Sequence, residues 1–162
     1  MPHHQRKAVP TESLDPALTE VSRQVIGASI EIHRALGPGF SRAVYVGALT
    51  SELDAAGIPY VVDFEFPVTY KGQKVGVSKV GLYVNNRFAV EPMAEHREID
   101  GVDRTALRAK LRAADLELGL IINFGERRLK DGLVRVLNPD KLEAQAAAGA
   151  DAPADTTAGD AG

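Results

Sequence analysis

Residues 116–125 read LELGLIINFG, and from Leu118 to Phe124 the run is apolar almost without a break. A run of that length and composition is a strand buried on both faces, so the chain must supply layers on either side of it. Upstream, Asp103 to Glu117 is predicted to be a helix, with Leu107, Leu111, Ala114 and Leu118 at helical spacing. Downstream, Gly132 to Leu137 is predicted to be a final strand. Further back, Val62, Phe64, Phe66, Val68 and Tyr70 alternate with Asp63, Glu65 and Thr69, the pattern of a half-buried strand. Lys71-Gly72 turns it into a second strand, Val75 to Val84, with Val80, Leu82 and Val84 expected on one face. Asn85-Asn86 leads to a third strand that opens RFAVEPMAEH, residues 87–96.

Two helices precede these strands. Leu18 to Leu36 repeats Val21, Val25, Ile26, Ile30 and His33, and Gly37-Pro38-Gly39 ends it. Ser41 suits the cap of a helix to about Ala56 that carries Val44, Tyr45, Ala48, Leu49 and Leu53, closed by Gly57. The order ααβββαββ is a single layered α/β domain over residues 16–141. Residues 1–15 read as a flexible polar arm, and residues 142–162 as a tail rich in alanine, glycine and aspartate.

The 162 residues include no cysteine, which excludes disulfides and thiolate metal sites. No apolar run approaches the roughly 20 residues that cross a bilayer, and MPHHQRKAVP has no signal-peptide core. A cytoplasmic protein without a membrane partner is expected. Three of the 22 acidic residues, Asp151, Asp155 and Asp160, lie in residues 145–162, leaving 19 against 19 basic residues elsewhere. The basic excess usual in nucleic-acid binders is absent.

Three stretches carry a resemblance: IGASIEIHRALGPGFSRAVYVGAL at 26–49, GIPYVVDFEFPVTYKGQKVG at 57–76, and LELGLIINFG. In order and spacing they resemble the GxxExxY protein family, of the PD-(D/E)xK nuclease superfamily by fold. The resemblance runs from about Leu18 to Val136 and implies a restriction-endonuclease-like core. It also implies a site in which two carboxylates hold Mg²⁺ and a lysine positions the attacking water.

Placed on this sequence, that pattern fails at its chemical positions. Gly39 and Tyr45 match, but Arg42 stands where the resemblance expects glutamate, and Val46-Gly47 replaces an acidic pair. Gly81 stands for the metal-binding aspartate, Ala106 for a glutamine, and Glu91-Pro92-Met93 for Glu-x-Lys. Of the vestigial positions Arg42, Tyr45, Gly81, Glu91 and Met93, Glu91 alone is a metal ligand. The reading that follows is a catalytically inactive nuclease-fold protein, a pseudo-nuclease without a cofactor. It would serve as a structural or interaction module whose partner is itself, as a homo-oligomer, or another protein. Pro92, which lacks a donor, is expected to weaken strand pairing.

The alternative is a Mg²⁺- or Mn²⁺-dependent nuclease using Glu91 with Glu31 and His33, or with Glu95. Glu31 and His33 read more simply as a surface acid and a packing histidine. Glu95, His96, Glu98 and Asp100 match no metal-site spacing and read as a solvated acidic loop. A second alternative is non-cleaving nucleic-acid binding through Arg104, Arg108 and Arg112, one per turn of the third helix, which otherwise form a solvated face. Val46, Val61 and Met93 would make an apolar surface if they face outward. His3 and His4 have no expected role.

Overall fold

The computed structural model describes residues 14–151, with side chains to residue 145. Four helices and five strands follow in the order α1 (Pro16–Leu36), α2 (Arg42–Ala55), β1 (Tyr60–Tyr70), β2 (Gln73–Val84), β3 (Phe88–Met93), α3 (Gly101–Ala114), β4 (Leu118–Asn123), β5 (Leu133–Leu137) and α4 (Pro139–Asp151). The strands form one sheet in sequence order, with β3 and β4 parallel and the other pairs antiparallel. No described helix is long and apolar enough to cross a membrane.

β4 is buried along its whole length, as its composition requires. Leu118, Leu120 and Ile122 pack with Leu18, Val25 and Ile32 of α1 and Leu49 and Leu53 of α2. Ile121 turns the other way, toward Leu107 and Leu111 of α3. Gly119 admits α3 closely, since a Cβ there would lie 2.8 Å from Leu107 Cδ2. The sheet is therefore sandwiched between α1/α2 and α3, the layered arrangement expected.

Local chemistry sets the ends of the helices. Asp15 caps α1 by accepting from Ala17 N at 2.8 Å, with Pro16 at the first helical position. Gly37, at φ 69°, closes it by donating to His33 O. Ser41 takes the cap position of α2, but its side chain makes no capping bond. α3 begins with a reciprocal box, Asp100 accepting from Asp103 N and Asp103 from Asp100 N. It stops at Ala114 rather than Glu117 because Asp115 turns left-handed, at φ 56°.

Several expectations are corrected. Val80, Leu82 and Val84 do not share a face: Val80 packs on the α3 side, Leu82 and Val84 on the α1/α2 side. The alternation breaks where Asp63, at φ 52°, faces Gly81 without forming a regular strand pair. The apolar series on β1 is split by the same kink, so Phe64 and Phe66 serve the α3-side core while Val62 is exposed. The body also extends past both expected boundaries. Leu14 is buried in the α1/α2-side core, and α4 crosses residue 141 because Leu142 reaches that same core. The rest of the arm, with His3 and His4, and residues 152–162 of the tail lie outside the described residues.

Candidate functional site

β2 and β3 pair over only three positions, from Leu82↔Val90 to Val84↔Phe88. The ladder fails just before Pro92, as its missing donor predicts on this side. Toward β4, whose parallel pairing continues through Pro92↔Ile122 to Met93, the strand is unbroken. Where the β2–β3 ladder stops, side chains take over. Glu91 Oε1 accepts from Gly81 N at 3.2 Å and from Lys110 Nζ of α3 at 3.1 Å. From α2, Arg42 Nε donates to Pro92 O at 2.9 Å. A Cβ built on Gly81 would meet Arg42 Nη2 at 2.6 Å and Pro92 Cδ at 2.8 Å. The guanidinium thus occupies the space that any side chain at position 81 would enter.

Arg42, Gly81 and Glu91 are brought together here, and Met93 lies on the face of β3 that Glu91 uses. Met93 does not form an outward surface. It packs against the α3-side core and lines a cleft of about 210 Å³ with Glu91, Glu95, Arg97, Asp103 and Lys110. Val46 is half-buried, and Val61 is exposed.

Tyr45 is fully buried and belongs to the scaffold. Its ring stacks on Phe124, centroids 4.7 Å apart and 5° from parallel. Its hydroxyl donates to Gly37 O at 2.5 Å and accepts from Phe40 N at 3.2 Å, tying the α1–α2 turn. His33 Nε2 is 2.8 Å from Glu126 O, so it braces the loop after β4. Glu31 is exposed on α1, and neither it nor His33 has a contact to Glu91.

On the cleft's outer side Arg97 gathers acids. It bonds both carboxylate oxygens of Asp103, at 2.7 and 2.9 Å, and pairs with Glu95 at 2.8 Å. The Arg97 guanidinium, helped by the Asp100 N–H, holds the Asp103 carboxyl well below the usual carboxylate range. The same fork-to-fork contact raises the guanidinium's own affinity for its proton. Arg97 therefore ties Glu95 to Asp103 within the acidic loop and offsets part of its charge. Among the arginines of α3, Arg112 bonds Asp140 at 3.0 Å, whereas Arg104 and Arg108 have no ionic partner among the described residues.

Two determinants carry little signal in the sequence. Lys110 reaches Glu91 from a different element, so the surviving glutamate has a lysine after all. Asn123, fully buried at the end of β4, uses all four of its hydrogen-bonding positions. Its amide donates to Glu95 O and Arg97 O, and its oxygen accepts from Glu95 N and Gly125 N. An asparagine breaking the apolar run LGLIINF was the available clue, because a polar side chain buried there must find partners.

The residues do not fit a bound Mg²⁺. Such an ion needs one or two free carboxylates and room for water. Glu91 is engaged by an ammonium and an N–H, position 81 has no side chain, and position 42 is a cation. No group of three or more potential protein ligands occurs among the described residues. The family model of the PD-(D/E)XK nuclease superfamily matches residues 19–136. No curated protein and no solved structure matches the chain.

Proposed function

The chain belongs to the PD-(D/E)XK nuclease superfamily, and on that premise we propose that it is a catalytically silent member, a structural module that assembles with copies of itself. Within the superfamily we place it with the GxxExxY proteins, its motif degenerate at Arg42, Gly81 and Met93. The observation that carries the reading is the guanidinium of Arg42 against Gly81, 2.6 Å from where a Cβ would stand. A permanent cation there opposes a divalent metal, and without the metal nothing lowers the pKa of water or offsets charge on phosphate. A folded core without its chemistry leaves shape as the useful property, and among soluble oligomers the symmetric homo-oligomer is the commonest form.

The test is cleavage of single- and double-stranded DNA and RNA with Mg²⁺ or Mn²⁺, beside isothermal titration of each metal. No cleavage and no metal heat are expected. Divalent-dependent cleavage that disappears in Glu91→Ala overturns the reading. A second reading rests on the Glu91–Lys110 pair, 3.1 Å apart. A lysine delivered from α3 instead of position 93 is what a nuclease with a relocated water-positioning group would carry, and the same assay decides it. Non-cleaving nucleic-acid binding has Arg104 and Arg108, without an ionic partner among the described residues, in its favour. It requires binding that weakens steeply with salt and is lost on reversing both charges.

A further inference from the structure

We infer that the outward face of the β1–β2 hairpin is the surface through which one copy of this chain meets another; this rests on the self-assembly reading above and names its contact. Beyond Leu82, β2 has no pairing with β3, and β1 and β2 run on as a two-stranded ribbon to the Lys71-Gly72 turn. One face of the ribbon is covered, with Phe64, Phe66 and Val80 packing toward Leu107 and Leu111 of α3. The register Glu65↔Lys79 and Pro67↔Val77 puts these four residues on the opposite face, and all are exposed. Val77 is 52% exposed, and Val75, at the bulge opposite Val68 and Thr69, is 62% exposed. Two strands with one open face gain little stability from their own pairing.

The charges select a second copy as the occupant. A symmetric contact needs a patch that complements itself, and here an acid and a base stand side by side in one row. A two-fold axis along the ribbon lays β1 of one copy over β2 of the other. Glu65 then meets Lys79 of the second copy, Lys79 meets its Glu65, and Val77 meets its Pro67. Edge-to-edge strand addition is the poorer use of this hairpin. On β1, Pro67 offers no donor and Asp63, at φ 52°, interrupts the edge.

The experiment is light scattering after size exclusion across a concentration series at low salt, on the full chain and on three variants. The full chain is expected at a multiple of 17.3 kDa, and Val77→Glu at 17.3 kDa. Glu65→Lys and Lys79→Glu should each weaken association by roughly tenfold, because like charges then meet across the axis. Mixing these two variants should restore it, which a weakened ribbon within one copy cannot explain. If Val77→Glu fails to fold, the mixing arm still decides. A full chain that stays at 17.3 kDa throughout overturns both this contact and the self-assembly reading. A larger full chain whose mass ignores Val77→Glu, or whose charge variants do not rescue one another, overturns this surface and leaves self-assembly standing.

Discussion

Tyr45 and Arg42 lie one helical turn apart on α2, yet they serve two different regions. Around Tyr45 the contacts run within the scaffold: a ring stacked on Phe124 and a hydroxyl bonded to both sides of the α1–α2 turn. Around Arg42 the contacts run between layers: a guanidinium on Pro92 O and against Gly81, beside a glutamate held by Lys110. The first region carries packing and the second carried chemistry in the pattern this chain resembles. The two are separable because the turn's hydrogen bonds use no group from the β2–β3 crossing. The residue at 42 can therefore change without disturbing the turn.

The strongest way to break that comparison is to empty the scaffold. Tyr45→Ala removes a fully buried ring and should cost about 3–5 kcal/mol in urea unfolding. Tyr45→Phe keeps the stack but leaves Gly37 O and Phe40 N unpaired, for about 1–3 kcal/mol. If Tyr45→Phe leaves stability unchanged, the hydroxyl is not the staple described here.

Next comes the crossing. Gly81→Asp places a Cβ against Arg42 Nη2 and Pro92 Cδ and should cost about 1–3 kcal/mol. Adding Arg42→Ala should recover part of that loss, the ring of Pro92 accounting for the rest. Additive single effects in the double-mutant cycle would mean that Arg42 and Gly81 are not fitted to each other.

The layers were legible because β4 reads as apolar on both faces and the helices repeat at helical spacing. What escaped was the break in alternation at Gly81. Periodicity assigns Val80, Leu82 and Val84 to one face, but a left-handed Asp63 opposite a glycine reverses the sense there. The departure from the expected metal-site pattern was legible at Arg42, Gly81 and Met93, since none of them carries a carboxylate or a lysine amine. The replacement contacts were not, because the reach of Lys110 to Glu91 and of Arg42 to Pro92 depends on which helix crosses which strand. α4 was hidden for another reason: a segment rich in alanine, glycine and aspartate shows no large apolar repeat and reads as a tail, while Leu142 ties its first turn to the core.

A smaller effect tests the acidic loop that was read as solvated. Asp100→Ala removes the acceptor for Asp103 N at the start of α3 and should cost about 1 kcal/mol. The loss should appear as faster amide exchange in the first turn of α3, with the turn around Tyr45 unaffected. Equal acceleration in both regions would mean that they unfold as one unit, and the separation drawn above would fall.

The smallest effect is one of pH, and it acts on one region alone. Asp103 titrates below its ordinary range because of Arg97 first, and then the Asp100 N–H. A carboxyl whose folded pKa is depressed contributes its full stability above the unfolded value, near 4. That contribution is lost as pH falls from there through the folded value. Acidification below about pH 4 should therefore erode this contribution first, and only as pH falls through the depressed folded value should the Arg97–Asp103 contact itself open and residues 95–104 loosen, while the turn around Tyr45, which rests on no carboxylate, stays closed. Asp15 also titrates low, chiefly through the N–H of Ala17, and adds a parallel loss at the start of α1. Asp103→Asn should flatten the acid limb for residues 95–104 and leave the Asp15 component in place. Both contacts are exposed enough for salt to shrink them. An acid limb that ignores Asp103→Asn at low ionic strength would mean that Arg97 organises this loop without its help.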